Sequence, residues 1–278
     1  MENICPIIIK YCIDFDFNDY NDDIKTKYIN YVKYLEYTQD INPINIYKLF
    51  GYVYNSDIKF INKHNINIIY DYKCLLCNNN IKKIKNIKEL YSYSRDIGYK
   101  SFPYLTNINK LRINSHIFTI ANKDLQYLAN IKILELYYNN NITDEGLKYL
   151  TNIEELYLNR NTKITDKGLK YLTNVKILYL DSNIFITDKG LKYLSNVKKL
   201  YLNNNKNITD KGLKYLTNIE ELNLRHSKNI TVKGLSHLTD LKFLTINSES
   251  NITYKKLKFL TKLGLYDFYK RDTNKYLL

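Results

Sequence analysis

The chain has 278 residues, 45% of them hydrophobic, which is enough to bury a real core and excludes a disordered linker or tail. Its composition leans on Asn, Ile, Lys and Tyr, with 29 Tyr, 8 Gly, 3 Pro and no Trp; these are the residues of AT-rich codons, so composition by itself carries little functional meaning. The net charge of +14 comes almost wholly from Lys, and the arginines (Arg95, Arg112, Arg160, Arg225, Arg271) are scattered, which argues against a nucleic-acid interface built on guanidinium forks.

From the N-terminus, residues 1–80 show no period and read as a helical region. No basic region, apolar run and small-residue cleavage site combine there, and no stretch approaches the ~20 apolar residues of a membrane span. The expected location is therefore intracellular, in the cytoplasm, without a membrane partner. Four cysteines (Cys5, Cys12, Cys74, Cys77) are too few for a disulfide framework and agree with a reducing compartment. Cys74-Leu-Leu-Cys77 has the spacing of half a zinc site but lacks a second close pair, so no metal is expected. Pro6 lies near the start of an apolar segment that runs to Ile13, and Asp23-Ile24 opens a second apolar segment that runs to Leu35. This arrangement resembles an F-box. The resemblance implies that residues 1–40 dock on a Skp1-like adaptor while the remainder selects a substrate for a ubiquitin ligase. The other reading is a cap that shields the apolar end of the first repeat, as terminal repeats require.

Downstream the chain is periodic. Ile142-Thr-Asp-Glu-Gly-Leu-Lys-Tyr-Leu150 returns from Ile164, Ile186, Ile208, Ile230 and, degraded, Ile252, at a spacing of 22 residues. Between these blocks lies Ile153-x-x-Leu156-x-Leu158-x-x-Asn161-x-x-Ile164, repeated from Val175, Val197, Ile219 and Leu241 and preceded at Ile131. Ile108-x-x-Leu111 and Ile87-x-x-Leu90 look like older copies at offsets of 23 and 21 residues. Leu156-x-Leu158 alternates as a short strand, and Leu169-x-x-Leu172 has helical spacing. Neither can bury its apolar side alone, so stacked copies give a parallel sheet backed by helices. The pattern closely resembles the leucine-rich repeat, and its Ile-Thr-Asp-x-Gly-Leu block resembles the variant found in repeat proteins that follow an F-box. The expected fold is an α/β leucine-rich-repeat solenoid over residues 81–278, with strands on the concave face, short helices on the convex face, and an N-terminal helical cap or small domain.

Fixed polar positions have local roles in this reading. Asn139, Asn161, Asn183 and Asn205 form an amide ladder that both donates to and accepts from backbone groups, broken at Ser227 and Glu249. Thr143, Thr165, Thr187, Thr209 and Thr231 suit N-caps, with the following Asp favoured by the helix dipole. Asn152, Asn174, Asn196 and Asn218 suit left-handed C-terminal caps. Leu263-x-x-Tyr266-x-Phe268 reads as a last strand, with Lys270, Arg271 and Asp272 as a charged tail beyond it.

The residues between buried leucines point to the concave face in three columns. One holds Glu135, Tyr157, Tyr179, Tyr201, Asn223 and Thr245; the next holds Tyr137, Asn159, Asp181, Asn203, Arg225 and Asn247; the third holds Ile133, Glu155, Ile177, Lys199, Glu221 and Phe243. Tyrosine offers a large rigid contact with a polar tip, so Glu135, Tyr137, Tyr157, Asn159, Tyr179, Asp181, Tyr201, Asn203, Asn223 and Arg225 are the candidate partner-binding residues. Stacked tyrosines also stabilise neighbouring strands, and that reading stands beside it. Two convex lysine rows, 167/189/211/233 and 148/170/192/214, read as a solvated helix face, with an acidic partner surface as the alternative. His64, His116, His226 and His237 do not cluster, and no nucleophile elbow or phosphate loop is present. No cofactor and no catalysis are expected; the expected function is binding of a protein partner.

Overall fold

The computed structural model describes residues 46–49, 62–63, 67–71, 80–92, 99–113, 120–136, 141–247, 252–263 and 268–271. The proposed F-box segment and all four cysteines lie outside them, as do Tyr137, Asn139 and Glu249.

Among the described residues, eleven strands form one sheet in strict sequence order, every neighbour pair parallel. They are β1 (Ile46–Leu49), β2 (Ile68–Asp71), β3 (Glu89–Ser92), β4 (Lys110–Ile113), β5 (Ile133–Leu136) and β6 (Glu155–Tyr157). The remainder are β7 (Ile177–Tyr179), β8 (Lys199–Tyr201), β9 (Glu221–Asn223), β10 (Phe243–Asn247) and β11 (Phe268–Arg271). Parallel neighbours need a crossover, and between β2 and β11 the described crossovers carry one or two short helical turns. The α-helical crossovers are α1 (Asn122–Leu125), α2 (Asp144–Leu147), α3 (Asp166–Leu169), α4 (Asp188–Leu191), α5 (Asp210–Leu213) and α6 (Val232–Leu235); the turns at Asn80–Lys83, Tyr99–Tyr104 and Tyr254–Leu257 are 3-10.

The register confirms the offsets of the older copies: Glu89 pairs with Lys110 and Lys110 with Ile133, steps of 21 and 23 residues. It also carries the sheet past the boundary expected at residue 80. Ile46 pairs with Ile68 and Ile68 with Glu89, so β1 and β2 belong to the same sheet although their loops have lost the signature. At the far end, Leu244 pairs with Phe268 rather than with Tyr266. The last strand is therefore shifted by two residues from the repeat, and Lys270 and Arg271 lie inside β11 rather than beyond it.

From Ile108 to Leu260 each repeat buries the same six side chains; in one, Ile153, Leu156, Leu158, Ile164, Leu169 and Leu172 are all at most 1% exposed. Fully burying one such side chain contributes roughly 1.5–3 kcal/mol, and neighbouring repeats share this one continuous core.

Between helices runs a ladder that spacing alone does not reveal. Thr165 donates its N–H to Oδ1 of Asp144 at 2.8 Å and its hydroxyl to Oδ2 at 2.6 Å. Thr187, Thr209 and Thr231 bond in the same way to Asp166, Asp188 and Asp210. The hydroxyls of these four threonines also accept the N–H two residues on, as N-caps do. Thr143 departs from the expected cap, because its hydroxyl accepts the Asn122 amide instead and makes no cap bond. So the Asp does more than face the helix dipole: it ties each repeat to the next. Glycine fits beside it without a shift, whereas a Cβ on Gly168, Gly190 or Gly212 would lie 2.4 Å from the preceding repeat's Asp Oδ1. The ladder ends where Val232 replaces Asp, and the turn after it is 3-10.

The asparagines after the helices are not left-handed caps. Among the described residues the non-glycine positions with positive φ are Arg160, Ser182, Asn204 and His226. Asn152, Asn174, Asn196 and Asn218 instead donate their side-chain amides to carbonyls of the preceding repeat at 2.9–3.0 Å. Both roles suit Asn, but here the bond satisfies a carbonyl that the helix end leaves over.

Candidate functional site

In β6, β7 and β8 the buried Leu156, Leu178 and Leu200 alternate with Tyr157, Tyr179 and Tyr201, which pair directly across the strands. Strict 22-residue register brings the rings face to face, at centroid distances of 4.0 Å and 3.9 Å and interplanar angles of 10° and 6°. Each ring is half-buried by its neighbours. The outer hydroxyls are held: Tyr157 donates to Glu155 at 2.5 Å and Tyr201 to Glu221. Burial first, and these carboxylates second, push both phenols well above the usual tyrosine range, so they remain neutral donors. Glu221 also pairs with Lys199 at 3.0 Å, which raises that lysine.

The column continues in both directions from the tyrosines, through Asn223 and Thr245 on one side and Glu135, Arg112 and Tyr91 on the other. Glu135, a candidate contact residue, is only 1% exposed, and its carboxylate accepts from Nε and a terminal nitrogen of Arg112 at 2.5 and 2.8 Å. Arg112, itself 5.6 Å from the Tyr91 ring centroid, covers it.

The second column mends the backbone beyond the strand ends. Asn159 Oδ1 accepts the Asp181 N–H at 2.9 Å, Asp181 Oδ1 accepts that of Asn203 at 2.9 Å, and Asn203 Oδ1 accepts that of Arg225 at 3.1 Å. Burial raises the Asp181 carboxyl above its usual range, opposed by its bonds to Asn203 and by Arg225. Tyr137, the first candidate of this column, lies outside the described residues.

One residue further on, in four successive repeats, the chain turns left-handed, at Arg160, Ser182, Asn204 and His226, with φ between 59° and 61°. These four residues and Asn159, Asp181 and Asn203 line one polar groove at the edge of the sheet. Sequence reasoning missed the left-handed four because no residue type repeats there; their one signal is the place before the ladder Asn. That ladder donates as expected: Asn161, Asn183 and Asn205 bond to the carbonyls of Ile142, Leu158 and Leu180 at 3.2, 3.0 and 2.8 Å. Acceptance holds only at Asn161, whose Oδ1 receives the Lys163 N–H; Oδ1 of Asn183 and of Asn205 has no partner. Ser227 extends the ladder weakly, its hydroxyl 3.4 Å from the Leu202 carbonyl.

The sequence model described as "Leucine Rich repeat" matches residues 127–150, 149–173 and 193–216. The fold is a leucine-rich-repeat solenoid. Similar solved structures include a chain of the TLR13–ssRNA13 complex, 22% identical, covering 78% of this chain and 35% of that one with a TM-score of 0.61. An internalin, InlF, from Listeria monocytogenes is 23% identical over 72% of this chain and 57% of its own, with a TM-score of 0.56. Internalin C2 from the same organism is 25% identical over 78% and 91%, with a TM-score of 0.50. The chain thus spans less than two thirds of the first two of these proteins. No curated protein matches the sequence.

On the convex side of the leucine-rich repeats, Lys148, Lys170, Lys192 and Lys214 each place Nζ 4.7–5.1 Å from the ring centroid of the tyrosine that follows. Tyr149, Tyr171 and Tyr193 in turn pack on the core, so this row covers the apolar backing of the helices. Among the described residues no group of His, Cys, Asp and Glu could hold a metal, and no helix is long and apolar enough to cross a membrane.

Proposed function

We propose that this solenoid is a protein-binding module, not an enzyme, and that it engages its partner through the concave column of Tyr157, Tyr179 and Tyr201, flanked by Asn223 and the Asn159–Arg225 column. The observation that carries this reading is the stack itself. Three large rings are held parallel by strand register and by two carboxylates, so little side-chain entropy remains to be lost on binding. Such preorganised tyrosines, with a polar atom at one end and an apolar face, are the side chains from which interface hot spots are made. Catalysis would require titratable groups converging in a pocket, whereas the polar atoms of the second column are spent on backbone N–H groups.

The test is affinity capture from host lysate with the full chain, followed by titration of the recovered protein against the chain carrying Tyr157→Ala, Tyr179→Ala and Tyr201→Ala together. Affinity is expected to fall by about 2 kcal/mol or more. Unchanged affinity in a variant that keeps its far-UV spectrum and melting transition would remove the column from the interface.

A further inference from the structure

Two large apolar side chains, Ile184 at 47% and Phe185 at 53% exposure, sit side by side in the loop between β7 and α4. The repeat makes them conspicuous. The same two places hold Thr162-Lys163 one repeat earlier, then Lys206-Asn207 and Lys228-Asn229 in the next two, all exposed. Nothing in the packing asks for the apolar pair. Asn207 donates to the Ile184 carbonyl at 2.7 Å just as Asn229 donates to that of Lys206 at 2.8 Å, so the loops stack alike whatever the side chains are.

The surroundings are basic. Arg160, Lys163, Lys206 and Lys228 are exposed on the loops that follow β6, β8 and β9, and the single carboxylate on these four loops is the half-buried Asp181. Lys163, Lys206 and Lys228 form no ion pair among the described residues. Beside the apolar pair runs the polar groove lined by Asn159, Asp181, Asn203 and the left-handed residues.

We propose that this rim docks a short acidic segment of a partner protein, with an apolar side chain of that segment seated on Ile184 and Phe185. Carboxylates on either side of the anchor would meet the lysines of the adjacent loops, which is the charge complementarity that steers and orients a partner. An anionic membrane shares the chemistry but fits the shape less well. The four loops have equal length and are bonded to one another, so Ile184 and Phe185 lie level with their lysine neighbours rather than projecting past them as an inserting tip must. The rim does not depend on the tyrosine column, and either surface can fail without the other.

The test uses the full chain as bait for a displayed library of random linear peptides, followed by titration of the synthesised winners. Acidic peptides with one aromatic or aliphatic anchor are expected, and their affinity should fall with rising ionic strength. In the double variant Ile184→Thr, Phe185→Asn, affinity should drop at least about tenfold, while the triple tyrosine variant should leave it unchanged. The double variant takes Thr162 from the preceding repeat and Asn207 from the following one, so it keeps both the fold and the charge of the rim. Three results would overturn the proposal: winners without acidic bias, equal binding by the double variant, or winners displaced by the tyrosine changes alone. So would sedimentation of the chain with phosphatidylserine-containing vesicles that the double variant abolishes, which would assign the rim to a lipid surface.

Discussion

Replacing Gly190 by Ala tests the inter-repeat ladder in the middle of its run. Elsewhere in a helix the change would stabilise by up to about 1 kcal/mol through helix propensity. Here the new Cβ would stand 2.4 Å from Asp166 Oδ1, 2.9 Å from Leu169 Cδ1 and 3.1 Å from Asp166 Cγ. The leucine tip can rotate away, but the carboxylate is fixed by Thr187, at 2.8 Å to its N–H and 2.6 Å to its hydroxyl. Moving it far enough to relieve the contact breaks at least one of these bonds, and a hydrogen bond to a charged group contributes about 1.5–3 kcal/mol. Net destabilisation of about 1–2 kcal/mol is expected. Gly234→Ala should cost more, because its Cβ would also meet the Asp210 backbone at 2.8 Å, which cannot rotate aside. Urea unfolding of the four chains of the cycle, with and without Asp166→Ala, isolates the cause. Once Asp166 is Ala, the penalty at Gly190 should vanish or reverse. An equal penalty in both backgrounds would refute the reasoning and place the strain in the helix backbone.

Asp181→Asn should raise stability at neutral pH, since the neighbouring Asn159 and Asn203 show that an amide oxygen accepts the same N–H. The raised folded-state pKa means that the native state binds the proton more tightly than the unfolded chain, so ionisation weakens the fold as pH rises through the carboxylate range. The gain should therefore disappear in acid; a variant of equal stability at all pH would show that Arg225 offsets the burial. Ser182→Gly should stabilise by about 1 kcal/mol in thermal or urea unfolding by relieving a φ of 61°; unchanged or lower stability would show that the 3.4 Å bond from the Asn204 amide to the serine hydroxyl outweighs the strain. Asn205→Leu removes the shorter of two donors from the Leu180 carbonyl, which keeps only the Asn183 N–H at 3.3 Å, and should cost about 1 kcal/mol or more in urea unfolding; a neutral result would mean that the Asn183 N–H alone satisfies that carbonyl.

The column register was fully legible in the sequence, because a fixed 22-residue period leaves no freedom in which side chains meet across parallel strands. Partners across repeats were not. Asp144 lies next to a helix start and 21 residues from the Thr165 that it serves, so a local reading sees only the dipole. Asn152 likewise follows a helix, where Asn suits a left-handed cap, but its amide reaches a carbonyl 23 residues back. Strands β1 and β2 escaped because their loops lack the signature Asn and Ile, which are loop requirements; the sheet itself asks only for apolar residues at the right pitch. The burial of Glu135 was not legible, because alternation gives the face of the sheet, not the neighbour Arg112 that closes over it.

These bonds also narrow where function can lie. A solenoid has to satisfy the same leftover donors and carbonyls in every repeat, so a polar residue that recurs at 22-residue spacing is already explained by its neighbour above or below. Asn159, Asp181 and Asn203 fall under this explanation even though they face the groove. What the backbone does not require are the departures: tyrosine in three consecutive repeats of a column that elsewhere accepts Glu135, Asn223 and Thr245, and Ile184-Phe185 where the flanking repeats carry Thr-Lys and Lys-Asn. Both departures cost solubility, since they expose apolar surface where other repeats carry polar side chains. They fall on overlapping repeats, β6 to β8 and the loop after β7, so a single partner large enough to span the sheet edge could touch both. If the triple tyrosine variant and the rim variant each weaken the same partner, their effects should add, because no described bond links the two surfaces.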